Sequence, residues 1–180
     1  MKLKTRAVFV MLFALISLSD PGMTAGPSLY SQFQGKTVKV YVAEAKDSTQ
    51  AHETDPKTIK SKTEEALKAR KSITFEIVQN PEQAELLIET EVSEYFWTDH
   101  DPVDMLMGAA ATAYDIATIE DYACLQADIR VTDVRTKNLL WKDRVMATIT
   151  KKPMSRPESI LLVTAELAKT FIKECFSRRR

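Results

Sequence analysis

Residues 84–97 read AELLIETEVSEYFW, and their alternation of apolar and polar side chains is typical of a half-buried β-strand. One set of side chains is expected to face a core: Leu86, Ile88, Thr90, Val92 and Phe96. The other set is acidic and polar before it becomes aromatic: Glu89, Glu91, Ser93, Tyr95 and Trp97. The stretch therefore predicts a long strand with one buried face, and the other elements are placed relative to it.

A strand, a helix and a second strand are predicted before this stretch. Residues 36–43 alternate valine with polar side chains, which predicts the first strand. Asp55 and Pro56 have the residue types of an N-cap and a first helical position, and helical spacing continues to about Lys71. Residues 73–78 are β-branched and aromatic, so we expect two parallel strands joined by a helical crossover.

Two strands and a helix are predicted after it. Residues 119–134 and 139–150 alternate in polarity around a polar turn, so they predict a hairpin. Ser155 and Glu158 match a capping box. The helix that follows has an apolar stripe: Ile160, Val163, Leu167, Phe171 and Cys175.

The predicted order is β-α-β-β-insertion-β-β-α. It indicates an α+β fold in which two helices pack on one face of a single mixed β-sheet. Residues 44–54 are polar, have no apolar period and are predicted to be a loop. Residues 98–118 are the least regular region and are predicted to be an insertion that is helical in part.

The N-terminal residues have the pattern of an export signal. Lys2, Lys4 and Arg6 precede an apolar run over residues 7–18, and a small-residue cleavage site is expected at residues 17–19 or near residues 24–25. We therefore expect an exported protein in the periplasm or at the outer membrane. The predicted domains are a signal peptide over 1–25, a linker over 26–35, a single α+β domain over 36–177 and a basic tail over 178–180.

Charge argues against nucleic acid as a partner, because the acidic and basic residues are equal in number. The cluster Arg178-Arg179-Arg180 is either a solvated tail or a contact for the anionic headgroups of a membrane surface. Cys124 and Cys175 are either two separate small apolar residues or a disulfide.

The sequence has no nucleophile elbow, phosphate-binding loop or zinc-type cysteine spacing, so we predict a non-enzymatic protein without a cofactor. One cluster has metal-ligand chemistry: Asp99, His100, Asp101 and Asp104. It is interpreted either as a metal or small-ligand site or as a polar loop with Asp101 as an N-cap.

A partner-binding surface is predicted where the long strand meets the insertion. Tyr95 and Trp97 combine apolar area with a polar group, as interface residues often do, or they finish the core. The insertion is apolar between residues 103 and 113 and contributes Met105, Leu106 and Met107. This segment is interpreted either as a contact element or as a short buried helix.

Several short segments resemble known proteins: VKVYV at 38–42, NPEQAELLI at 80–88, VSEY at 92–95, ADIRV at 127–131 and LLW at 139–141. They are similar to the lipopolysaccharide-assembly lipoproteins and, in outline, to the curli-secretion and penicillin-binding-protein-activator lipoproteins. Those proteins carry a lipidated cysteine after the signal, whereas the first cysteine here is Cys124. The resemblance implies binding or assembly within an outer-membrane or periplasmic complex, with an envelope protein as partner.

Overall fold

Six strands in the described part of the chain form one mixed sheet. The structure is a computed structural model that describes residues 28–49, 52, 54–98, 121–151 and 154–178. The strands are β1 (Thr37–Val42), β2 (Lys46–Asp47), β3 (Thr74–Ile77), β4 (Leu86–Thr98), β5 (Asp121–Asp133) and β6 (Leu139–Lys151). The helices are α1 (Tyr30–Phe33), α2 (Pro56–Lys68) and α3 (Arg156–Phe176).

The strand order is β3-β1-β4-β5-β6, and β2 pairs with β4 beyond the end of β1. β1 runs parallel to β3 and β4, whereas β4, β5 and β6 are antiparallel. The parallel crossover and the hairpin are therefore confirmed, as is the α+β class. None of the helices in the described part of the chain is long and apolar enough to cross a membrane.

Alternation builds a core on one face of the sheet. β5 is buried at every odd position from Ala123 to Val131, and β1 is buried at its three valines. Helices α2 and α3 contact each other and the sheet. Both helices begin at residues whose side chains accept hydrogen bonds from the first turn, Asp55 and Ser155, as predicted.

Helix α3 is held by aromatic packing. Trp141 on β6 contacts Phe171 with ring centroids 5.5 Å apart, and Phe171 contacts Phe176 at 6.0 Å. Phe176 then meets Phe75 on β3 at 5.0 Å. Since β3 and β6 are the two outer strands, this chain of rings spans the width of the sheet.

A β-bulge corrects the predicted orientation of the aromatic strand end. The register of β4 against β5 shifts between Val92 and Glu94, so Ser93 is an extra residue. Because side-chain direction has a period of two, every later side chain changes face. Tyr95 and Trp97 pack against the core, and Phe96 is 49% exposed. The expectation that Phe96 faces inward is therefore wrong.

The segment predicted as a linker over 26–35 contributes to the folded domain where it is described. Leu29 is buried, and its backbone N–H donates to the carbonyl oxygen of Cys175 over 2.8 Å. α1 follows directly, and Gly35 with a φ of +72° then turns the chain into β1. The start of the described chain is thus fixed to the end of α3.

Residues 44–54, predicted to be irregular, contain the short strand β2 and a structured loop. Each carboxylate oxygen of Asp47 accepts two hydrogen bonds over 2.6–2.9 Å. Oδ1 accepts from the backbone N–H and the hydroxyl of Thr49, and Oδ2 accepts from the same two groups of Thr54. Burial acts to raise the pKa of Asp47, but these four hydrogen bonds together lower it. One carboxylate therefore ties Thr49, just after β2, to Thr54, just before α2.

Asp47→Asn is expected to lower the free energy of unfolding by about 1–2 kcal/mol at neutral pH, because the amide nitrogen cannot accept. The value is modest since the carboxylate is partly exposed. Because the folded pKa of Asp47 is lowered, its stabilisation is present above the unfolded value of about 3.9 and is lost as pH falls through the folded value. Urea unfolding at neutral and acidic pH measures this.

The exposed Glu76 on β3 supplies the control, and Glu76→Gln should change stability little at either pH. If the gap between wild type and Asp47→Asn has the same size at neutral pH and well below pH 4, the Asp47 carboxylate does not organise this loop through its negative charge.

Candidate interaction surface

No described element covers the face of the sheet opposite the helices, and this face has two parts. Near the start of β4 it is charged, and the cross-strand pairs place Glu89 beside Arg130 and Glu91 beside Asp128. Lys46 pairs with Glu91 over 2.9 Å, and Arg144 pairs with Asp128 over 3.1 Å. The hydrogen bond from Lys46 lowers the pKa of Glu91. These charges largely neutralise one another around a shallow cleft of about 140 Å³.

The other part is mostly apolar, although Glu94 also lies on it opposite Gln126. We call four of its side chains the outer patch: Phe96, Tyr122, Cys124 and Met146. The rings of Phe96 and Tyr122 lie 6.3 Å apart, and cross-strand pairing joins Phe96 to Cys124. Phe96 is 49% exposed and Met146 is 57% exposed. Large apolar side chains that share one face and stay this exposed are typical of a contact surface.

The predicted contact residues Tyr95 and Trp97 lie on the helix-facing side instead. The Tyr95 hydroxyl is 2.6 Å from Oγ of Ser159, which is fully buried. Ser159 uses its own hydrogen to donate to the carbonyl oxygen of Arg156, so Tyr95 is the donor. The Arg156 guanidinium lies 6.0 Å from the centre of the Trp97 ring. In this structure both aromatic residues dock the beginning of α3.

The other predicted site residues lie outside the described residues. These are Met105, Leu106 and Met107 of the contact surface and Asp99, His100, Asp101 and Asp104 of the metal cluster. Both chain ends that flank them lie at the outer patch, because Thr98 pairs with Tyr122 across β4 and β5. No group of three metal-ligating side chains occurs within the described ranges.

Sequence reasoning did not identify the outer patch. Its residues come from three strands, so their proximity depends on cross-strand register. Alternation within β5 puts Tyr122 and Cys124 on the outer face, but the bulge at Ser93 reverses the side expected for Phe96. The Ser93-Glu94 step, where a polar pair precedes consecutive aromatic residues, is the local signal that could have indicated a bulge.

The two cysteines form no disulfide and lie on opposite sides of the sheet. Cys124 is partly exposed in the outer patch, and Cys175 is buried on the sheet-facing side of α3. The backbone of the sheet separates them, so the alternative of two separate residues is the one that this structure shows. Burial raises the pKa of the Cys124 thiol, although a hydrogen bond with Tyr122 counteracts part of this.

Tyr95→Phe is expected to cost about 1 kcal/mol of unfolding free energy, because it removes one hydrogen bond and leaves Ser159 bonded to Arg156. Tyr122→Phe on the open face is the matched control and should cost less. Urea unfolding measures both. Equal losses for the two variants would contradict the docking role of Tyr95.

We expect a maleimide to modify only Cys124 in the folded protein and both cysteines after unfolding, as counted by mass spectrometry. Modification of Cys124 should be slower than that of a free thiol at neutral pH, because a raised pKa leaves less thiolate. Cys124→Ser should abolish labelling of the folded protein. Labelling of Cys175 first, or no free thiol after unfolding, would be inconsistent with this structure.

No protein-family model and no curated protein matches the chain. Solved structures do. PelC from Paraburkholderia phytofirmans, a dodecamer, is 14% identical, with a TM-score of 0.54 over 86% of this chain and 96% of that one. XCC0632 from Xanthomonas campestris is 5% identical, with a TM-score of 0.50 over 83% and 90%.

Small bacterial lipoproteins are also among the similar structures. Lipoprotein GNA1162 from Neisseria meningitidis is 12% identical, with a TM-score of 0.40 over 71% of this chain and 94% of that one. At these identities, the likeness to PelC and XCC0632 shows that the chain shares their fold.

Proposed function

We propose that the chain is a non-enzymatic, exported protein of the bacterial envelope that works by assembly, and that its outer patch contacts a second copy of the chain. The observation that carries the proposal is the exposure of Phe96 and Met146 on one open face. The predicted export signal over residues 1–25 supports the compartment.

A second copy is the occupant that the chain's own properties favour. The formal net charge is zero at neutral pH, so no long-range repulsion opposes self-association. The outer patch also reaches the sheet edge, because Met146 lies on β6, an outer strand of thirteen residues. A long outer strand offers backbone donors and acceptors to another chain.

The fold comparison supports assembly as well. PelC shares this plan and forms a dodecamer. A closed ring requires two different surfaces on each copy. This chain offers different sheet edges, since β3 is short and parallel to its neighbour, whereas β6 is long and antiparallel to its neighbour. A further partner, such as an envelope protein of the same complex, would bind to the assembled form of the chain.

The test combines Phe96→Asp with Met146→Glu in protein recovered from the envelope fraction of cells. Charges in the outer patch must be desolvated on association, so we expect the self-association constant to weaken by more than about tenfold. Light scattering over a concentration series measures the mass. The labelling rate of Cys124 should fall as wild-type protein associates, because association covers the patch.

Leu161→Glu is the matched control, because Leu161 is 46% exposed but lies on α3. It should leave association unchanged. A wild-type protein that is monomeric at every concentration contradicts the assembly role, and recovery in the cytoplasmic fraction contradicts export. Unfolding curves for all variants separate a loss of association from a loss of folding.

A further inference from the structure

A basic depression lies at the end of the sheet opposite the outer patch. It has a volume of about 480 Å³ and is lined by Tyr30, Ala69, Arg70, Lys71, Ser72 and Arg178. Three of these six residues are cationic, and none of the described side chains that line it is acidic. The volume is more than ten times the ~30 Å³ that one water molecule occupies in the liquid.

The cations of this depression have no acidic partner among the described residues. Lys71 and Arg178 are exposed and form no ion pair within the described ranges. Arg70 is half-buried, and its Nη2 donates to the carbonyl oxygen of Phe176 over 3.0 Å and to Oγ of Ser177 over 3.1 Å. Arg70 thus closes the end of α3 and is fixed in place by it.

The helix ends nearby only partly offset this positive charge. α2 and α3 both finish at this end of the fold, and each carboxyl end carries about half a negative charge, so the two contribute about −1. Arg70, Lys71 and Arg178 contribute three positive charges. The depression therefore keeps an excess of about two positive charges.

Two polar atoms here have no hydrogen-bond partner in the described structure. They are Nε of Arg70 and Oγ of Ser72, and both are shielded from solvent. Buried polar groups are normally paired, so their placement beside three cations needs a cause. Both residues line the depression, and an anion that reached these atoms would supply the acceptor that they lack.

We propose that this depression binds a phosphate-bearing anion, with Lys71 and Arg178 as charge partners and Arg70 and Ser72 as hydrogen-bond donors. A planar guanidinium fixed at one end matches the geometry of phosphate oxygens. Tyr30 also lines the depression. The anion is the phosphate of a lipid headgroup or a free phosphate.

The position of the chain ends favours the lipid headgroup. Oγ of Ser28 donates to the carbonyl oxygen of Cys175 over 3.2 Å, so the chain enters the domain beside the depression. The apolar run over residues 7–18 lies upstream of this point, and Arg179 and Arg180 follow Arg178 in the sequence. The lipid source rests on the envelope location proposed above, whereas phosphate binding itself does not.

The test uses Lys71→Gln combined with Arg178→Gln, and keeps Arg70 because it closes α3. Binding is measured to phosphatidylcholine vesicles with and without phosphatidylglycerol, so that the apolar run contributes equally to both. Each cation removed should weaken binding to the anionic vesicles by about fivefold. In a second arm, inorganic phosphate should raise the thermal midpoint of the wild type but not of the variant.

Lys57→Gln combined with Lys142→Gln removes the same charge from exposed positions elsewhere and is the control. If only the Lys71→Gln, Arg178→Gln variant binds the anionic vesicles more weakly, the result supports a lipid headgroup as the source of the phosphate. A phosphate effect specific to the depression, without any preference for anionic vesicles, supports a free phosphate and separates this site from the proposed envelope location. Equal behaviour of both double variants in both arms overturns the site, and assembly through Phe96 stays a separate question.

Discussion

The contact on which the rest of this structure depends is the chain of rings from Trp141 through Phe171 and Phe176 to Phe75. Aromatic pairs of this kind contribute about 0.5–1.5 kcal/mol each beyond the burial of their area. Their arrangement matters more than their sum. Because the rings join one outer strand to the other, α3 cannot shift along the sheet without breaking contacts at both edges.

Fixing α3 also fixes what lies at its two ends. Its first turn rests on Tyr95 and Trp97, which the β-bulge brings to the helix side. Its last turn is closed by Arg70 and by the entering chain at Ser28. The outer patch therefore lies at the end of the sheet near the first turn of α3, and the basic depression lies at its last turn.

The sequence predicted the features that follow from the local period of apolar side chains. It did not predict the features that depend on strand register or on contacts between distant residues. The parallel crossover, the hairpin and the caps at Asp55 and Ser155 follow from spacing alone, and the structure contains them. The extra residue at Ser93 is marked only by a polar pair before the aromatic residues, yet it reverses the sides of Tyr95, Phe96 and Trp97. The basic depression is formed by residues about a hundred positions apart in the sequence, so no local sequence pattern could indicate it.

The separation of the two surfaces has a mechanical consequence. If a protein bound a membrane and a partner through the same face, the two interactions would be mutually exclusive, because each contact would cover the surface that the other needs. Here Lys71 and Arg178 lie beside the entry of the chain, whereas Phe96 and Met146 lie on the open face towards the other end. The two proposed contacts would therefore not cover each other, and the helix that the aromatic rings hold across the sheet lies between the two surfaces.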